Sequence, residues 1–468
     1  MKKVKFGKVW LAAFDNDNSA LVPEIWAQES LMFLENSMVM GMLVHRDFQN
    51  EVARFGEVVN TRRPSGFEAV RKVDGDDVTV QDASLVNVAI RMDQHWHTSF
   101  LIYDGEESKS MQSLIETHAQ PALSSIAQAI DQTIFGESYN FMDNYAGKLG
   151  TTPTAATMIA LRESLTKSKC PLVGRRLTVS PDAEGSFLNI ADWVNANSVG
   201  DEGSAMREGH LGRKFGFDTF TSQNVPAIAA GNTVDVTGNV DLVGGYAVDT
   251  TTLAVEGFTG SPTRILGAWI TLAGDMTPQR VTAIDTNSGG DLVEITIDPG
   301  LRYAVANDAA ITIYTPGTIN QAVSPAGYAQ YWVKEMVLSN FSVAPKSGQL
   351  VAFGTGEDLF GTVGTPTATG VTLSRSLDTA VANAANVAIG PAGQYCLGFH
   401  KNAIALVTRP LAMPVAGSGV RSAVANYNGL SIRATITYDP YKQGHLVTLD
   451  LLAGVKTLDS SLGAVMFA

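Results

Sequence analysis

The chain has 468 residues, enough for roughly three domains and a sizeable core; at 45% hydrophobic and 17% charged it reads as globular and poor in charge. A formal net charge of −13 argues against a protein that wraps nucleic acid, because phosphate contacts need clustered Lys and Arg, while a container that encloses DNA without gripping it stays compatible. Two cysteines, Cys170 and Cys396, are too few for a disulfide scaffold or a four-cysteine zinc site; two reduced thiols are expected, with a single bridge between them as the alternative.

The segment Met1–Phe14 carries Lys2, Lys3, Lys5 and Lys8 before the apolar run Val9–Phe14. That run of about six residues is shorter than the ~7–15 of a signal-peptide core, and Asp15 follows it, so the expectation is a basic arm lying on a neighbouring subunit. No stretch reaches the ~18 uninterrupted apolar residues of a membrane helix. Residues 21–44 predict a helix with Pro23 in its first turn; apolar residues fall nearly all round it, which calls for burial on more than one side, in its own core or against partners. Met32, Met38, Met40 and Met42 read as packing.

From Val86, the residues Val88, Ile90, Met92, Trp96, Phe100 and Ile102 take alternate positions, with Gln94 and Thr98 in the gaps. Period two over this length predicts one strand of about 56 Å, some three times the usual length. Its expected partner is Glu57–Val70, interrupted by Pro64 and Gly66, with a turn at Asp74-Gly75-Asp76-Asp77 between them. A two-stranded ribbon cannot bury its apolar face alone, so another subunit is the natural cover. A second helix is expected from about Glu106 to Phe135 on the stripe Met111, Leu114, Ile115, His118, Ala122, Ile126, Ile130 and Ile134. Pro121 inside it should kink or split it. Thr154–Lys167 predicts a further helix, Arg176–Val179 a strand, and Met206–Phe220 a helical turn leading into a strand.

After Pro226 the composition turns to Gly, Thr, Val and Asp, and short alternating strands run to about Gly393. Residues 294–313 match 370–389 without gaps at an offset of 76: Leu301-x-x-Ala304-Val-Ala-Asn307 recurs as Leu377-x-x-Ala380-Val-Ala-Asn383. Two related β modules are expected, 227–317 and 318–393, too few for a solenoid or propeller. Between the matched segments, 326–340 is compatible with a strand or a short helix. The tail predicts a hairpin, Ser431–Tyr438 and His445–Val455 around Asp439–Gly444.

This order of parts, with Leu31–Val44, His45-Arg46-Asp47-Phe48, Arg62-Arg63-Pro64, Arg207-Glu208-Gly209, Gly212-Arg213, Gly216-Phe217-Asp218, Phe399-His400-Lys401, Thr408-Arg409-Pro410-Leu411 and Asp450–Lys456, resembles the major capsid proteins of tailed bacteriophages. It is most similar to coat proteins of short-tailed phages with an inserted β domain. The resemblance covers nearly the whole chain, most weakly 227–265, and rests on the number and order of its pieces. It implies an α+β fold with an N-terminal arm and helix (1–50), an extended β-ribbon loop (51–103), and a peripheral domain with a spine helix (104–178, completed by part of 430–468). An axial domain (179–226 and 394–430) would carry the β insertions.

The function implied is self-assembly into an icosahedral shell around double-stranded DNA, without sequence-specific DNA contacts, enzymatic activity, cofactor or membrane. Implied partners are other copies in hexamers and pentamers, a portal protein at one vertex, and a decoration protein where one is present. A separate scaffolding protein is implied too, because no fused scaffold segment opens this chain. The implied location is the virion, assembled in the host bacterial cytoplasm. A nanocompartment shell of the same fold and a carbohydrate-binding tail or adhesin protein are the alternatives. Subunit-contact candidates are Arg62, Arg63, Lys72, Asp74, Asp76, Asp77, Val86, Val88, Ile90 and Met92. One relative crosslinks subunits through Lys and Asn, for which Lys72 is the positional candidate here, with no Asn partner identified.

Other chemistry finds little support. Asp93-x-His95-x-His97 puts three metal-ligand types on one strand face, but Arg91 shares that face and one strand supplies too few ligands. Asp74, Asp76 and Asp77 lack the rest of a calcium loop. There is no Gly-x-Ser-x-Gly, catalytic-cysteine or phosphate-loop motif. His118 reads as a core histidine, and Arg62-Arg63 and Arg175-Arg176 as ion-pair partners between acidic subunits.

Overall fold

The computed structural model describes residues 27–28, 30–34, 37–46, 58–63, 69–72, 74–75, 77, 80–81, 86–103, 118–190, 211–228, 237–258, 265–314, 317–319, 326–333, 335–339, 341, 344–354, 356, 358–367, 369–415, 420–427 and 429–468. Within 27–37 the described residues are helical, burying Ala27, Ser30, Leu31 and Leu34 while Met32 stays 68% exposed. Within the single chain one face is therefore covered, fewer than the composition suggests. The helix is also not continuous to 44. It breaks at Met38–Val39 and resumes as the short helix α1 (Met40–Leu43), because the buried Asp131 carboxylate takes the Val39 and Gly41 N–H groups at 3.0 and 3.1 Å.

The ribbon is β1 (Val58–Arg63) paired antiparallel with β2 (Val86–Arg91), from Val58↔Arg91 at its base to Arg63↔Val86. The single long strand expected over 86–102 is not formed. The in–out alternation persists, but the chain bends at Met92–Asp93 and continues as β3 (Gln94–Tyr103), which pairs elsewhere. Two causes are visible. Asp93 Oδ2 accepts the Ser376 N–H at 2.6 Å, and the bend rests on Gly454, where a Cβ would stand 2.2 Å from the Arg91 carbonyl oxygen.

Helix α2 (Gln120–Gly136) carries Pro121 in its first turn, where a missing N–H costs nothing, so the proline starts the regular helix and does not kink it. Residues 118–119 form a wider π turn before it; 104–117 lie outside the described residues. The stripe Ala122, Ile126, Ile130 and Ile134 is buried as expected. A 3-10 turn (Glu137–Phe141), β4 (Tyr145–Gly147) and α3 (Ala155–Lys167) follow, the last opened by Thr154, whose N–H donates to Thr157 Oγ1 at 3.2 Å. Then come β5 (Arg175–Val179), α4 (Pro181–Leu188) capped by Ser180, β6 (Arg213–Lys214), β7 (Phe217–Thr221) and β8 (Ala227–Ile228). The helical turn expected at 206–210 lies outside the described residues.

The insertion is two closed barrels. The first contains β9 (Thr237–Val240), β10 (Thr252–Glu256), β11 (Trp269–Leu272), β12 (Asp275–Thr286), β13 (Leu292–Asp298) and β14 (Ala310–Tyr314), in ring order β10-β13-β12-β11-β14-β9. The second contains β15 (Gly317–Ile319), β16 (Met336–Ser339), β17 (Leu350–Phe353), β18 (Leu359–Thr367), β19 (Gly370–Leu373) and β20 (Asn386–Ile389), in the same cyclic order, β15-β16-β19-β18-β17-β20. The registers agree. Ile270↔Ile313 and Ile311↔Gly238 in the first correspond to Val351↔Ile389 and Val387↔Gly317 in the second. Tyr246 and Tyr328 each bridge to a matched valine, Val305 and Val381, and each hydroxyl accepts a backbone N–H at 2.7 Å, from Ala254 and Val337. The duplication read from a short match therefore spans whole barrels, each with its own core. The ambiguous segment 326–340 supplies the strand β16.

The chain returns as β21 (Gly393–His400), β22 (Ile404–Arg409), β23 (Arg421–Tyr427), β24 (Leu430–Asp439), β25 (Gly444–Thr457) and β26 (Gly463–Phe467). One sheet runs β4-β26-β21-β5-β7-β6, with β8 also on β21; the other runs β22-β25-β24-β23, with β3 on β25. The predicted tail hairpin is β24–β25. Helix α2 lies on β3 and β25 and against β18, so a single core joins the helices to both sheets. The fold is α+β, with β modules inserted between the strands of its body.

Candidate assembly surface

The ribbon divides into a covered base and an uncovered end. At the base, Val59, Ile90 and Met92 pack with Ala405 and Val407 of β22, all buried. This corrects the expectation that the stripe from Val86 to Met92 needs a neighbour to cover it: its lower half is covered by the chain's own sheet, and Val88 is half-buried. The side chains of Arg62, Arg63 and Val86, and all of Asp76, lie outside the described residues. Toward the far end every described residue from 69 to 80 is exposed, Lys72, Asp74 and Asp77 among them. Val70 and Val80 are 59% and 89% exposed there.

The base is also tied to the second barrel around a cleft of about 410 Å³. The Arg91 guanidinium stacks on the Tyr331 ring 3.5 Å from its centroid. Beneath lies a buried charge network. Glu137, at the end of α2, meets Arg375 Nε at 3.0 Å, and its other oxygen accepts from the Thr457 N–H at 3.0 Å, Thr457 Oγ1 at 2.8 Å and Asn140 Nδ2 at 3.0 Å. Arg375 also pairs with Asp378, which receives Lys456 Nζ at 3.1 Å. Burial alone would lower the Arg375 guanidinium, but Glu137, Asp378 and Asp358 outweigh it and hold it raised. Three elements distant in sequence (the end of α2, the second barrel and β25) thus meet at a ribbon base held in one orientation.

The first barrel is locked in by two further arginines. Arg280 donates to carbonyls of Phe353, Gly354 and Gly356 in the second barrel; Arg302 donates to the Met142 carbonyl and stacks on Tyr145. In the body, Arg433 and Asp450 pair through both carboxylate oxygens.

Asp131 fixes the N-terminal helical segment to α2. Burial pushes its carboxyl up from 3.8 to about 6, although the N–H groups of Val39, Gly41 and Met40 pull the other way. A raised folded-state value means that the folded chain binds this proton more tightly than the unfolded one. Its contribution to stability is therefore full below the ordinary carboxylate range and is lost as pH rises through about 6. Asp131→Asn should flatten that slope. Between pH 5 and pH 7 the native chain should lose more resistance to urea than the variant does, and equal losses would contradict the assignment.

Arg175, expected at a subunit contact, is buried and donates to the carbonyls of Cys170 and Pro171 at 2.7 and 2.8 Å, and Arg176 donates to the Leu43 carbonyl. Both serve their own chain, because the turns they cap leave carbonyls without strand partners. His95 and His97 stand on the exposed face of β3 with ring centroids 6.3 Å apart, while Asp93 is drawn to Ser376. Among the described residues no three His, Cys, Asp or Glu side chains gather as a metal site. His118 is half-buried and stacks on Phe100. Cys170 and Cys396 are both buried and unbridged. No described helix is long and apolar enough to cross a membrane.

No family model matches the chain, and no curated protein matches its sequence. Among solved structures the chain is similar to one from Mycobacterium phage Che8, at 13% identity and a TM-score of 0.43 over 92% of this chain and 90% of that one. It is similar to the capsid structure of cyanophage P-SCSP1u at 10% identity and TM-score 0.38, covering 88% and 84%. It is likewise similar to the capsid of Ralstonia phage GP4 at 9% and 0.38, covering 89% and 84%.

Proposed function

We propose that this chain is the major capsid protein of a tailed bacteriophage, which assembles with copies of itself into an icosahedral shell around double-stranded DNA. The observation that carries the reading is the ribbon: an element anchored by its base to β22 and the second barrel, with an exposed aliphatic far end that the described part of its own chain leaves uncovered. A helix laid along a sheet, a second sheet and an inserted β region complete the element order expected from the sequence resemblance. On this reading α2 is the spine of the peripheral domain, 104–178 with part of 430–468, and the axial domain is formed by 179–226 and 394–430. The contact candidates at the ribbon end are Arg62, Arg63, Lys72, Asp74, Asp76 and Asp77. Scaffolding and portal proteins are the expected partners, the packaged DNA is enclosed without sequence-specific contact, and assembly takes place in the host cytoplasm. Negative-stain microscopy of the purified chain, alone and with its scaffolding protein, tests this. Closed shells or ring-shaped capsomers are expected, and only monomers or fibres would refute it.

A further inference from the structure

The two barrels share a fold and differ in charge. In the described part of the first, every exposed charged residue is Asp or Glu, and its two described arginines, Arg280 and Arg302, are buried in the contacts that lock the barrel in place. Among the described residues the second exposes one charge of each sign, Glu335 and Lys346, so the acidic bias there belongs to the first copy. Within that acidic surface, the loop 241–249 joining β9 to β10 presents aliphatic side chains to solvent: Val243 is 94% exposed, and Leu242 and Val248 are also exposed. The loop is held, with Leu242 N–H on Asn307 Oδ1 at 2.9 Å, Tyr246 N–H on the Val305 carbonyl at 2.8 Å and Asp249 N–H on the Leu301 carbonyl at 2.7 Å. Asp241, Asp249 and Asp308, all exposed, flank it. An apolar centre within an acidic rim fits a partner that is both apolar and basic.

The chain itself contains such a segment. Lys2, Lys3, Lys5 and Lys8 alternate with Val4, Phe6, Val9 and Trp10, and no other eight-residue run of the sequence holds four Lys or Arg. From Phe14 to the first described residue, Ala27, the chain can reach about 45 Å when extended, and from Lys2 about 80 Å. We propose that the loop 241–249 of the first barrel is the docking site for the basic N-terminal segment, residues 2–14, of a second copy. Lysines meet the carboxylate rim, and an aliphatic or aromatic side chain covers Val243.

The test uses the chain lacking residues 1–14, titrated against a fluorescein-labelled peptide of residues 1–14 and followed by anisotropy. Saturable binding in 50 mM salt is expected, weakened about tenfold or more in 500 mM salt as screening shortens the range of the charges. Asp241→Lys with Asp249→Lys should weaken it at least as much. Asp241→Asn with Val243→Ser, a milder pair on exposed positions, keeps the test valid should charge reversal disturb the barrel; circular dichroism checks each fold. Absence of saturable binding, or equal binding by the native loop and both variants, would overturn the proposal. Shell formation by the full chain, scored separately in the microscope, keeps that outcome distinct from failure of the capsid reading.

Discussion

Arg375→Met should destabilise the unfolding unit that contains the second barrel by about 3–5 kcal/mol, the usual cost of leaving a buried charge without its partner. Glu137 and Arg375 are both buried, and Glu137 sits where water cannot replace the guanidinium. Its second oxygen keeps Thr457 and Asn140, so the loss falls on the oxygen that faces Arg375. Arg375→Lys should lie between, since an ammonium retains the charge but cannot reach Glu137 and Asp378 with one planar fork. Glu137→Gln should cost less than Arg375→Met, because Asp378 and Asp358 still compensate the arginine. Urea unfolding of the soluble subunit measures all three. An Arg375→Met chain within 1 kcal/mol of the native one would mean that the network is wetter than its burial indicates.

The elements were legible where a local period encodes them. The alternation at 86–102, the stripe from Ala122 to Ile134, the hairpin at the tail and the helix capped at Thr154 all appear near their expected positions. Strand continuity was not legible, because periodicity reports which face a residue takes and is silent about which strand it pairs with. Alternation survives the bend at Met92–Asp93 while the partner changes from β1 to β25. A glycine in the middle of an apolar strand, Gly454, was the available signal for a close backbone approach.

The barrels show the same limit. The matched stretch reached only one strand–loop–strand unit, yet glycines outside it repeat a structural role. Gly245 and Gly327 both hold positive φ, and a Cβ at either would lie 2.2 Å from a carbonyl oxygen, of Val305 or Val381. The buried ion network was invisible because its members, Glu137, Arg375, Asp378 and Lys456, are scattered over the chain and each is unremarkable in its own window. Composition assigned the Arg175-Arg176 pair to the surface, whereas folding turned both inward onto backbone carbonyls.

Val70→Asp combined with Val80→Asp should leave the subunit folded and abolish closure of shells. Both side chains are exposed in the single chain, so charging them costs the monomer little, and circular dichroism and urea unfolding should match the native protein. On the capsid reading proposed above, the ribbon end of each subunit lies on a neighbour. Covering one valine fully is worth about 1.5 kcal/mol, and two charges forced beneath a neighbour would reverse that gain and add a desolvation penalty. The loss recurs at every subunit of a closed, symmetric assembly, so sedimentation should show only small species. Ile90→Asp is the contrasting variant. Ile90 is fully buried against Ala405 and Val407, so a carboxylate there should weaken the subunit itself by several kcal/mol before assembly is reached. The pair of experiments separates the two halves of the ribbon. Complete particles from the Val70, Val80 variant in normal yield would show that the ribbon end is not an assembly contact. A fully stable Ile90→Asp subunit would show that the base is not held as described.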